Sequence, residues 1–239
     1  MENVARFDIS GHPFVCPNDP HVLAVVKEVL SGAAYPAPEF MAGKIQTVVD
    51  MGANVGASAL WLHARFPKAS IHCFEPTSLA YGFLERNTRH LEKVECHNAG
   101  ILGQACTRDI SVGGAGSETS SLKKSKQADF GRFETAEFKE ALPLVAPLVK
   151  TAAPLALKID TEGCEVDILQ NLKPVLGEIE LLMLEYHSEE DRVEIDALAR
   201  ASGHILFSAR ADQCHVGTVV YLRRETMRAF TSMDEDAIR

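Results

Sequence analysis

The sequence predicts an α/β fold, with one mostly parallel sheet and helices on both of its faces. Three observations predict it. An apolar strand runs into a glycine turn and a helix start at Val48-Val49-Asp50-Met51-Gly52-Ala53-Asn54-Val55-Gly56-Ala57. From residue 46 onward, strand and helix patterns alternate, and such alternation gives parallel strands joined by right-handed crossovers. The last two strand patterns are separated by a short connection, which implies an antiparallel hairpin.

The elements follow in order. Asp19 is a good N-cap and Pro20 suits the first helical position. Val22, Val25, Val26, Val29 and Leu30 then recur at helical spacing, and Gly32 is a stop signal. This helix precedes the first core strand and reads as a lid or flank over residues 1–45. The Tyr35-Pro36-Ala37-Pro38 stretch reads as a linker. Strands are expected at 46–50, 70–74 and 94–98, with helices at 54–65 and 78–90. Residues 103–150 are the least regular, an insert expected to cover the site. It holds a short strand near 109–112, a Gly113-Gly114-Ala115-Gly116-Ser117 turn, and a helix over 138–149 interrupted at Pro143 and Pro147. Regularity returns with a strand at 155–160, a helix at 165–172 and a strand at 180–186. A capping box at Ser188-Glu189-Glu190-Asp191 opens a helix to about residue 201. Strands at 204–209 and 216–223 close the domain of residues 46–225, and 226–239 read as a frayed tail.

The chain has 239 residues, 46% of them hydrophobic, enough for one large domain with a substantial core. The net charge of −9 argues against nucleic acid as the main partner. Lys123, Lys124 and Lys126 read as a solvated loop. The six cysteines make no CxxC or CxxH pair, so a zinc site built on cysteine is not expected. The N-terminus lacks a secretory pattern and no apolar run is long enough for a membrane span. The expected setting is the cytoplasm, with a small-molecule acceptor as partner and a homodimer possible.

Asp50, Gly52 and Gly56 form a D-x-G-x-x-x-G turn, and Ile71-His72-Cys73-Phe74-Glu75-Pro76 follows. An acid about 20 residues past a glycine turn, at the end of a second strand, suits the two hydroxyls of a ribose. Gly52 allows close backbone approach, Gly56 lets the helix start pack near a ligand, and Asn54 presents backbone N–H groups. Position 54 is Asn where a dinucleotide fingerprint has glycine, and Asp50 would repel phosphate. Both points favour S-adenosylmethionine over NAD, because a sulfonium and an amino group tolerate carboxylates. Asn98-Ala99-Gly100-Ile101 is the expected edge of an adenine slot.

The second informative run is Leu157-Lys158-Ile159-Asp160-Thr161-Glu162-Gly163-Cys164-Glu165. A central parallel strand is normally apolar, and Lys158, Asp160 and Glu162 break that rule. Lys158 reads as part of a structural ion pair, and Asp160 as functional. The next strand ends Leu184-Glu185-Tyr186-His187. By residue type, His187 is the candidate general base; a structural histidine or a contact to the helix cap near Ser188 is the alternative reading.

The phrases VVDMGANVGASAL, CFEP, LKIDTEGCEVDIL and LLMLEYHSEE resemble the FkbM family of S-adenosylmethionine-dependent methyltransferases. The resemblance covers roughly residues 46–207, and the KID-x-EG-x-E run is its most specific part. It implies a class I, Rossmann-like methyltransferase with a seven-stranded sheet in the order 3-2-1-4-5-7-6, a terminal antiparallel hairpin and an N-terminal helical extension. It also implies O-methylation of hydroxyls on sugars, macrolides or other secondary metabolites. By this resemblance the cofactor turn falls at Asp50, Gly52, Asn54 and Gly56, the ribose acid at Glu75, and the acidic strand-four motif at Asp160 and Glu162. Ala53 within the turn, Pro76 after the acid and Gly100 at the expected adenine edge are further candidate cofactor residues read from the sequence itself.

The expected chemistry is in-line methyl transfer, with Asp160 or His187 as base and Glu162 and Glu185 orienting the acceptor. Asp160, Glu185 and His187 also form a possible Mg²⁺ site. Alternatives are N-methylation of an amine, an NAD-dependent oxidoreductase, and a non-catalytic scaffold.

Overall fold

The computed structural model of the protein describes residues 3–112 and 133–228. The Gly113–Ser117 turn, the lysine cluster and most of the C-terminal tail lie outside these residues.

The chain opens with a hairpin that the sequence reading did not anticipate. Strands β1 (Val4–Ile9) and β2 (His12–Pro17) pair antiparallel around Ser10 and Gly11. Both turn residues have positive φ, 54° and 85°, as tight hairpin loops require. Phe14, Val15 and Cys16 are at most 1% exposed, so the hairpin is part of the core and the N-terminal flank is not purely helical. Helix α1 (Pro20–Leu30) follows; Asp19 caps it by accepting from the backbone N–H groups of His21 and Val22.

The main sheet has seven strands. Its parallel part comprises β3 (Thr47–Met51), β4 (Ser70–Phe74), β5 (Val94–His97), β9 (Leu155–Ile159) and β10 (Leu181–Tyr186). The antiparallel strands β11 (His204–Gln213) and β12 (Val216–Arg223) complete it. Across the sheet the order is β5-β4-β3-β9-β10-β12-β11. Numbered along the chain within this sheet, that is 3-2-1-4-5-7-6. The order reverses between β3 and β9, where an open α/β sheet leaves a crevice at the carboxyl ends of its strands.

Helices α2 (Ala57–Arg65) and α3 (Ser78–Thr88) lie with α1 and the hairpin over one face. Helices α4 (Ala141–Thr151), α5 (Glu165–Leu176) and α6 (Glu189–Ala201) cover the other. Ser188 caps α6 by accepting from the Asp191 N–H at 3.0 Å. Helix α4 runs through both prolines. Pro143 sits in the first turn, where N–H groups have no intrahelical acceptor. Pro147 forgoes one bond, and burial of Ala141, Val145 and Val149 holds the helix together.

The insert forms a second sheet from β6 (Gly100–Leu102), β7 (Cys106–Ser111) and β8 (Phe133–Glu140), in the order β6-β8-β7. Residues 138–140, expected to begin a helix, instead end β8. Their sequence alternates in burial along the strand, and a period of two marks a strand with one covered face.

Candidate active site

A cavity of about 400 Å³ opens at the carboxyl ends of the central strands, within the usual size of small-molecule sites. The end of β3 builds its floor. Gly52 has φ +87°, and a Cβ there would lie 1.8 Å from the Asp160 carbonyl oxygen. Only glycine lets the turn after β3 pass this close to the end of β9. Gly52 and Asn54 line the cavity; Asn54 has φ 48°, a left-handed conformation that asparagine tolerates.

Glu75 follows β4 and lines the cavity while only 2% exposed. One carboxylate oxygen accepts from the Thr77 N–H and hydroxyl at 2.9 and 2.7 Å, and the other from the Asn54 N–H at 3.0 Å. Burial raises its pKa, and these hydrogen bonds pull the other way. Pro76 and Thr77 also line the cavity, as do Gly100 and Ile101 of β6. A side chain at Gly100 would strike the Phe138 ring at 2.3 Å.

Three expected cofactor residues stand elsewhere. Asp50 is fully buried beneath the floor. It accepts from the Ser58 hydroxyl at 2.6 Å and lies 3.2 Å from the Lys158 ammonium, its register partner on β9. Its carboxylate is engaged by the fold and does not line the cavity. Gly56 has φ +92° and faces Leu84 and Thr88 of α3, so its lack of a side chain serves helix packing and not ligand approach. Ala53 is 1% exposed and hydrogen-bonds through its N–H to the Phe74 carbonyl.

The opposite wall is carboxylate-rich. Lys158, 2% exposed, bridges Asp50 and Asp160 and donates to the Gly52 carbonyl at 2.6 Å. It is the structural ion pair that the sequence implies. Asp160 accepts from the Tyr35 hydroxyl at 3.0 Å. Burial would raise the Asp160 pKa, but Lys158, a hydrogen bond with Glu185, His187 and Tyr35 together hold it below the ordinary value. Glu185 moves the other way. Burial, then the Asp160 charge, drive it far above the carboxylate range. The two move apart because two adjacent buried carboxylates cannot both ionise cheaply.

His187 sits 3.5 Å from Glu162 and 3.4 Å from Glu165. Burial would lower its pKa, but Glu165, Glu162 and Asp160 raise it to about 9. A raised pKa favours the charged ring, which donates protons, and this weighs against the general-base role expected for it. Glu162 (φ 56°) and Gly163 (φ 95°) form a left-handed turn. Glu165 clamps that turn by accepting from the Thr161 and Gly163 N–H groups at 2.8 and 3.1 Å. Asp160, Glu185 and His187 each present one ligand atom within 4.8 Å of the others. Their ligand atoms are already engaged within the fold, Asp160 by Lys158 at 3.3 Å and Tyr35 at 3.0 Å, and His187 by Glu162 and Glu165; no open, oxygen-rich set for Mg²⁺ stands here among the described residues.

Sequence reasoning missed several cavity residues. Tyr35 lay in an apparent linker. His21 and Glu28 come from α1, Phe138 from the insert, and Asp212 from β11. Arg210 ties Glu28 to Asp212, at 2.6 Å from the latter, and so joins α1 to β11 across the site. No local sequence signal showed which strand end any of them would face.

No protein-family model matches the chain, and no curated protein matches it; the FkbM resemblance rests on its motifs alone. Among the described residues, no helix is long and apolar enough to cross a membrane. Solved structures similar to the chain include precorrin-6y C5,15-methyltransferase from Geobacter metallireducens, at 10% identity and TM-score 0.45, covering 83% of this chain and 88% of that one. M. jannaschii TYW2 in complex with AdoMet has 12% identity and TM-score 0.44, covering 93% and 88%. M. capricolum TrmK in complex with S-adenosyl-homocysteine has 9% identity and TM-score 0.47, covering 84% and 67%.

Proposed function

We propose that this chain is an S-adenosylmethionine-dependent methyltransferase that methylates a hydroxyl of a small natural product or sugar. The observation that carries the reading is Glu75. It is a buried acid at the end of β4, facing a cavity whose floor is the glycine turn after β3. Six carboxyl side chains line that cavity, Glu28, Glu75, Asp160, Glu162, Glu185 and Asp212, and among the described lining residues none is Lys or Arg. Such a wall suits a cationic ligand and disfavours the phosphates of NAD.

In this reading Glu75 takes the ribose hydroxyls, Gly52 and Asn54 approach through backbone, and Gly100 and Ile101 flank the base. The cofactor, when bound, supplies an activated methyl electrophile. The protein's part is positioning and exclusion of water. Asp160, Glu162 and Glu185 orient the acceptor. Asp160 is the carboxylate that receives the acceptor's proton. His187 stays charged and holds Glu162 and Glu165 in place. His21, the other histidine lining the cavity, is a second candidate base. The same acidic wall supports a second reading, methylation of an amine, which an acceptor screen with paired alcohols and amines separates.

Calorimetry with S-adenosylhomocysteine tests the cofactor assignment. The expected result is micromolar binding that Glu75→Ala weakens by about tenfold or more, since loss of charge-assisted hydrogen bonds exceeds ~1.4 kcal/mol. A melting curve of the variant shows that the loss is not unfolding. A folded wild-type protein that binds neither this ligand nor S-adenosylmethionine overturns the reading.

A further inference from the structure

The edge of the main sheet carries a second group of metal-ligating side chains, apart from the cavity. His72 lies on β4, and Glu95 and His97 lie on the edge strand β5. His72 and Glu95 are direct register partners, and Phe74 pairs with His97. Alternation along each strand therefore puts all three side chains on one face.

The distances are those of a ligand set. The His72 Nδ1 atom lies 3.4 Å from one Glu95 oxygen, and the His97 Nε2 atom lies 3.6 Å from the other. One ligand atom from each residue falls within 4.8 Å of the rest. Two ligands on a tetrahedral zinc stand roughly 3.3–3.5 Å apart, given bonds of about 2.0–2.2 Å. Glu95 is paired with both histidines, and Lys139 adds a positive charge near His97. The strands fix two of the backbones in register, and the His97 ring is stacked on Phe74 at 4.5 Å with 15° between planes. The histidine side chains are about one quarter exposed and Glu95 about two thirds, so an ion can enter and keep water on its open side.

We propose that His72, Glu95 and His97 form a binding site for a divalent first-row transition metal, best suited to Zn²⁺. Two imidazole nitrogens and one carboxylate oxygen make a donor set that prefers zinc or its neighbours over Mg²⁺ or Ca²⁺. The site is independent of the methyltransferase reading. It does touch the cavity through backbone, because the Glu75 N–H donates to the His97 carbonyl at 3.1 Å. An ion there joins the edge strand to its neighbour and stiffens the segment that positions Glu75.

The test is calorimetric titration of the full chain with zinc chloride, with thermal melting at each zinc concentration. The expected result is one equivalent bound and a melting temperature that rises with zinc, as any ligand of the native state requires. His97→Gln and Glu95→Gln should each weaken binding by about tenfold or more; Glu95 is exposed, so its variant leaves the fold intact. Glu185→Gln, in the cavity cluster, and His12→Asn, at the stacked His12–His90 pair, should leave binding unchanged. Zinc that binds equally well to both edge-strand variants, that is lost in Glu185→Gln, or that does not bind the wild type overturns the proposal.

Discussion

At the residue scale, His187 shows how surroundings override residue type. A lone histidine at a strand end reads as a base near neutrality, with an ordinary value of 6.5. Three carboxylates raise it to about 9, against burial. A group whose folded pKa lies above its unfolded value contributes stability that is complete below the unfolded pKa and is lost as pH rises through the folded one. The melting temperature of wild type minus that of His187→Gln should therefore be largest below pH 6.5 and shrink as pH rises toward 9. A difference that stays flat across this window would show that the ring is neutral in the folded protein. Its spacing from Glu185 was legible in the sequence. The presence of Glu162 and Glu165 around it was not, because the left-handed turn at Glu162 and Gly163 decides where those carboxylates point.

At the element scale, the two glycines of the turn after β3 look alike in sequence and do different work. Both have positive φ. Gly52 faces the backbone just past β9, with the Asp160 carbonyl oxygen 1.8 Å from its would-be Cβ, whereas Gly56 faces the movable end of Leu84 at 3.2 Å. Gly52→Ala should thus lower stability by more than ~1–3 kcal/mol, the usual range for overpacking, and abolish cofactor binding. Gly56→Ala should cost less and leave binding intact, its effect coming from φ and a small shift of α3. Chemical denaturation and calorimetry of both variants check this; equal effects on binding would place Gly56 at the ligand after all. The glycine spacing was readable from the chain. Which neighbour each glycine admits depended on the parallel registers of β3, β4 and β9.

At the scale of the whole molecule, the opening hairpin contributes Phe14, Val15 and Cys16 to the core. Val15 donates to the Asn87 side chain at 2.9 Å, and Asn87 donates back to Val15 and on to Val55 at 2.8 Å each. Phe14, Val15 and Cys16 are buried beside α3. Burial of a Val or Phe side chain contributes about 1.5–3 kcal/mol each, against a typical domain stability of about 5–15 kcal/mol. A chain lacking residues 1–17 should unfold at markedly lower denaturant, or lose its cooperative transition. An unchanged midpoint would make the hairpin a mere appendage. The Ser10-Gly11 pair between alternating residues was a hairpin signal in plain sight.

The sequence by itself determined the succession of strands and helices in the main sheet, the glycine turn and the acids at the strand ends. These depend on local chemistry: period-two and period-3.6 apolar patterns, N-caps, and glycine where φ must be positive. Tertiary structure alone decided which acids are free to act. Asp50 and Asp160 both read in sequence as acids at strand ends, yet Asp50 lies within β3 in register with Lys158 and is sealed against it and Ser58, while Asp160, just past β9, faces the cavity with Tyr35 and Glu185. The protonation of Glu185, the charge on His187 and the pairing of His72 with Glu95 and His97 have the same origin. Each arises from through-space neighbours, many of them far apart along the chain, brought together by strand register and by burial that strengthens every charge it encloses.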